Sequence, residues 1–133
     1  LSNCGQASEL DNNAENCSDK YAVKCVVISN IASPSNDYVL STKIDSYGGG
    51  FGTGYDSADV YVRSTKNGQA DTLLLSIEDN SDDISSKNIK AHWISEDKIE
   101  IRYGHGDINF QVVKFAGKDV LTYRDIELDA ASH

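Results

Sequence analysis

From residue 22 onward the chain is written in short runs in which aliphatic or aromatic side chains fall at every second position, and none keeps the three-to-four spacing of an amphipathic helix. Leu73, Leu75 and Ile77 show the rhythm plainly, as do Ile99, Ile101 and Tyr103. Alternate side chains of a strand point to opposite faces, so each run has one apolar face, and a sheet built from such runs must cover that face with a second layer. The constraint is strong: the chain has to become a β-structure with an enclosed interior.

Runs of this kind predict strands over residues 22–31, 38–46, 58–64, 72–78, 89–93, 99–103, 108–112 and 120–128. Between the first two, Ser33-Pro34-Ser35-Asn36-Asp37 supplies turn formers, and Asn67-Gly68 tolerates the positive φ of a tight reversal. In the second run Leu40, Thr42 and Ile44 face inward, which leaves Val39, Ser41, Lys43 and Asp45 for water. Glu78 to Lys87 reads as an exposed loop, whereas Ser95-Glu96-Asp97 and Gly104-His105-Gly106-Asp107 are connectors short enough for antiparallel neighbours. The expected fold is all-β: an antiparallel meander of seven or eight strands, closed as a small barrel or folded as a sandwich. Residues 21–133 form this β-domain, and the polar residues 1–20 precede it as a tether or one short helix.

A chain of 133 residues can bury one core without a metal. Its 12 Lys and Arg against 21 Asp and Glu give a formal charge of −9, which repels a nucleic-acid backbone and favours a basic partner. No apolar run is long enough to cross a bilayer as a helix.

Few residues suggest chemistry. The segment Gly48-Gly49-Gly50-Phe51-Gly52-Thr53-Gly54-Tyr55 lacks the Lys and hydroxyl of a phosphate loop, and no helix follows it. It reads instead as a hairpin loop on which Tyr47, Phe51 and Tyr55 are candidate recognition anchors, or lids on the end of the core. Glu78, Asp79, Asp82 and Asp83 are the candidate acidic contacts, solvated if they do nothing and steering if the partner is basic. Calcium is disfavoured because Asp79-Asn80-Ser81-Asp82-Asp83 lacks the later Gly and Glu of an EF-hand loop. His105, between two glycines, is expected as a turn residue; a cavity bringing it together with carboxylates such as Asp107 or Asp56 would be the mark of an enzyme. No catalytic residue, metal or cofactor is assigned. Trp93 is expected in the core.

The opening Leu1-Ser2-Asn3-Cys4 resembles the end of a bacterial lipoprotein signal, in which the cysteine is lipidated. That leaves Cys17 and Cys25 as a pair able to close a disulfide in an oxidising compartment; alternatively Cys25 is a buried small hydrophobe and Cys17 a free thiol. The turn Ser33-Pro34-Ser35-Asn36-Asp37-Tyr38-Val39-Leu40, the glycine-rich segment, Val60-Tyr61-Val62, and Trp93 followed by Lys98-Ile99-Glu100-Ile101-Arg102-Tyr103 together resemble small bacterial envelope lipoproteins. The resemblance implies a periplasmic or envelope location, with membrane association through Cys4, and no catalytic residue. The expected function is a non-enzymatic binding protein similar to secreted-toxin immunity proteins, which neutralises a basic protein. The alternative is an accessory or structural envelope lipoprotein. The oligomeric state is left open.

Overall fold

The computed structural model describes residues 24–47, 55–66, 70–79, 88–125 and 127–128. Cys4, Cys17, Phe51, Asp82, Asp83, the glycine loop, the Asn67-Gly68 turn and the N-terminal segment lie outside the described residues.

The described strands are β1 (Lys24–Ala32), β2 (Tyr38–Tyr47), β3 (Tyr55–Ser64), β4 (Thr72–Asp79), β5 (Ile89–Ser95), β6 (Lys98–Tyr103), β7 (Asp107–Gln111), β8 (Lys114–Phe115) and β9 (Lys118–Arg124). They form two sheets, one of five strands in the order β1-β2-β3-β4-β7 and one of four in the order β5-β6-β9-β8. The all-β expectation therefore holds, and every predicted run contains a strand. Neither sheet closes on itself, which overturns the barrel.

The uninterrupted antiparallel meander is also corrected. β6 and β9 pair in parallel, with Ile99 opposite Val120 and Tyr103 opposite Arg124. Between them the chain leaves the four-stranded sheet, adds β7 to the edge of the other sheet beside β4, and returns through β8. The turn at Gly104–Gly106 is a change of sheet, with Gly106 at φ 99° making the bend that only glycine adopts cheaply. The last strand stops at Arg124 instead of running to residue 128, because Asp125 accepts the Glu127 backbone N–H at 2.9 Å and turns the chain.

One core cluster draws on both sheets: Leu40, Ile44, Ala58, Val60, Val62, Leu75 and Ile77 from one, Ile89, Ala91, Ile99, Ile101 and Val120 from the other. Here the strict alternation fails at one place. The register slips between Val60 and Tyr61, making Leu74 an extra residue in β4, so Leu74 and Leu75 are both fully buried while Leu73 is only half-buried. Trp93 packs against the core without being fully enclosed, and its indole N–H donates to the Ile31 carbonyl of the other sheet at 2.9 Å.

That hydrogen bond belongs to a clasp at one end of the molecule. Lys118 is 5% exposed and donates to the Glu96 carbonyl at 2.5 Å, lies 3.3 Å from Glu96 Oε2, and sits 4.8 Å above the Tyr38 ring. Glu96 Oε1 in turn accepts the Ser35 backbone N–H at 2.8 Å, tying the β5–β6 turn to the β1–β2 turn. Burial pushes the Glu96 carboxyl up, but the Ser35 N–H and hydroxyl and Lys118 outweigh it and hold it below its ordinary value.

Candidate functional site

The opposite end of the five-stranded sheet is where residues scattered through the sequence converge. Antiparallel register sets Tyr47 opposite Tyr55, Ser46 opposite Asp56, and Asp45 opposite Ser57. The next ladder continues these rows, with Asp56 opposite Asp79 and Ser57 opposite Glu78, and β7 adds Asp107 opposite Glu78. Directly opposed residues share a face. One face of this end thus carries Tyr47, Tyr55, Asp45, Glu78 and Asp107, and the core-side face carries Asp56 and Asp79.

Tyr47 and Tyr55, both named from the sequence, stack on each other at 4.7 Å between centroids with 20° between planes. Tyr47 also donates to Asp45 at 3.4 Å, and Lys43 lies 3.5 Å from the same carboxylate. This corrects the assignment of Ser41, Lys43 and Asp45 to water: all are buried, Asp45 to 1% exposure, and the ion pair and phenol offset part of the cost of burying its carboxylate. Glu78 ends the predicted run as expected, and Asp79, expected in the loop, extends β4 by one residue.

Two stacked pairs of like charges follow from the register, Asp56 against Asp79 and Glu78 against Asp107, an arrangement that costs stability unless something answers it. His105 answers the first, its Nδ1 lying 3.2 Å from Asp79 Oδ2, with both side chains mostly buried. In the second, Asn109 donates to Glu78 at 3.0 Å, but its neutral amide leaves the two negative charges facing each other. His105 is therefore no mere turn residue; neighbouring Gly106 takes the unusual backbone angle. Its carboxylate partner is Asp79, while Asp107 lines the same cavity and Asp56 stands opposite Asp79 in the ladder.

The cavity holds about 420 Å³ and is lined by Glu78, Asp79, His105, Asp107, Asn109 and Arg124 among others. Arg124 donates to the Gly106 carbonyl at 3.2 Å and lies 5.7 Å from the Tyr103 ring, pinning the sheet-changing turn to β9. Neither Asn109 nor Arg124 is identifiable from the sequence, because each reaches the site by a non-local pairing. Chemically the cavity offers carboxylates to a cation and one His–Asp pair. Among the described residues no group of His, Cys, Asp and Glu is arranged to hold a metal ion, and those lining the cavity include no Ser, Cys, Thr or Lys. Cys25 is disulfide-bonded, and its partner lies outside the described residues. Comparison with protein-family models, curated proteins and solved structures found no match.

Proposed function

We propose that this chain is a non-enzymatic binding protein of the bacterial envelope that captures and neutralises a basic protein, such as a secreted toxin, at the acidic end of its five-stranded sheet. The observation that carries the reading is the register, which gathers a stacked tyrosine pair and the carboxylates of Glu78, Asp79 and Asp107 at one sheet end. Acidic groups accelerate encounter with a cationic surface, and paired aromatic rings give it apolar area with little side-chain entropy to lose. A formal charge of −9 extends the attraction beyond contact. Phe51, Asp82 and Asp83, the other contacts named from the sequence, lie outside the described residues. The clasp at the far end and the shared core support a sandwich of the two sheets as the rigid base.

The envelope location rests on the lipoprotein-like N-terminus with Cys4 as the lipidated residue, and a Cys17–Cys25 bridge fits the disulfide at Cys25. The test is capture from a native periplasmic extract with the protein and its Glu78→Gln/Asp107→Asn variant. A stoichiometric basic effector, lost with the variant and at high salt, supports the reading. Envelope machinery captured equally by both forms would overturn it in favour of an accessory lipoprotein. The His105–Asp79 pair favours a second reading, acid–base chemistry on a small polar substrate, whereas the stacked tyrosines at the same sheet end and the formal charge of −9 favour binding.

A further inference from the structure

β7 stands at the edge of the five-stranded sheet, and its five residues are all exposed, Ile108 to 40% and Phe110 to 44%. An edge strand presents a row of backbone N–H and C=O groups, and proteins ordinarily protect it with lysine, proline or a covering segment. Asp107-Ile108-Asn109-Phe110-Gln111 contains neither residue. Its register slips at Asn109, so Ile108 aligns with inward Ile77 and Phe110 with Ser76 on the other face. A strand added here would therefore find an apolar side chain on each face and, at its beginning, the opposed carboxylates of Glu78 and Asp107.

We infer that β7 accepts an extended segment of the basic partner as a sixth strand of this sheet, main-chain hydrogen bonds supplying the affinity and a Lys or Arg beside Asp107 supplying the register. The inference rests on the binding reading above and adds how the partner is held. Charge selects the occupant: a cation seated beside Asp107 relieves its repulsion with Glu78, whereas a second copy of this chain would bring another formal charge of −9 to the same edge.

The probe is a short capped peptide alternating lysine and valine, titrated onto the intact protein with amide hydrogen exchange read residue by residue. The expected result is slowed exchange confined to β7, with binding about tenfold weaker when the peptide is N-methylated at alternate residues. Phe110→Lys, at an exposed position that leaves the core untouched, should weaken the peptide similarly. Equal binding of the N-methylated peptide would overturn strand addition while leaving acidic capture standing, and no binding of either peptide would overturn strand addition as well. Self-association of the free protein through β7, seen by sedimentation, would overturn the choice of partner. Loss of basic-effector capture in the Glu78→Gln/Asp107→Asn variant is independent of these outcomes, so failure of strand addition and failure of the binding reading are separable.

Discussion

Lys118→Met is the sharpest test of the clasp. Methionine keeps most of the buried stem and removes only the ammonium, so the loss reports on the polar contacts rather than on a cavity. The hydrogen bond from Nζ to the Glu96 carbonyl is charge-assisted, of a kind that contributes about 1.5–3 kcal/mol. The Tyr38 ring 4.8 Å away adds a cation–π term of about 1 kcal/mol, and the second ring, Trp93 at 5.8 Å, adds less. Against these stands the cost of keeping a lysine at 5% exposure, which methionine does not incur and which offsets part of the loss. Because the Glu96 side chain is about a third exposed, it returns to water when its partner goes and leaves no buried charge behind. The balance is a destabilisation of about 2 kcal/mol, or a fall in urea midpoint of about 1 M at a slope of about 2 kcal/mol/M. Urea unfolding followed by Trp93 fluorescence measures it. A loss below about 0.5 kcal/mol would mean that the stem alone does the packing and that the ammonium contributes nothing to holding the sheets together.

Leu75→Ala should cost about 2–5 kcal/mol and Leu73→Ala clearly less, by chemical denaturation, because the β4 bulge buries Leu74 and Leu75 fully but Leu73 only in part; equal losses would refute the bulge. Gly117→Ala should lower stability by about 1 kcal/mol although no atom lies within 4 Å of the added Cβ, since the strain comes from φ +79° alone; an unchanged melting temperature would contradict it. Glu96 has a folded pKa below its unfolded value, so its contribution is complete above the ordinary carboxylate range and disappears as pH falls through the lowered value. Comparison of acid titrations should show a shallower stability decline for Glu96→Gln, and superimposable slopes would count against the Ser35 and Lys118 contacts.

The strands were legible because alternation is local: a run such as Ile99, Ile101 and Tyr103 states its own face. What it faces is not local. The connector at Gly104–Gly106 is as short as a hairpin turn, yet it carries the chain to the other sheet, and nothing in its composition distinguishes the two outcomes. The same limit governed the site. Tyr47, Tyr55, Glu78 and Asp79 stood out by residue type, but their common address depends on ladder registers, and the partnership of His105 with Asp79 depends on a strand order that places β7 beside β4. The buried ion pair of Lys43 and Asp45 was misread because polar residues at alternate positions ordinarily mark a wet face.

The late arrival of β7 also sets an order of events during synthesis. The first four strands of its sheet can zip together by neighbour-to-neighbour reversals as they leave the ribosome, but the flank of β4 stays open until the β5–β6 hairpin has also emerged. A nascent chain paused before residue 107 therefore displays a bare, leucine-rich ladder, a natural landing place for a chaperone and a hazard in its absence.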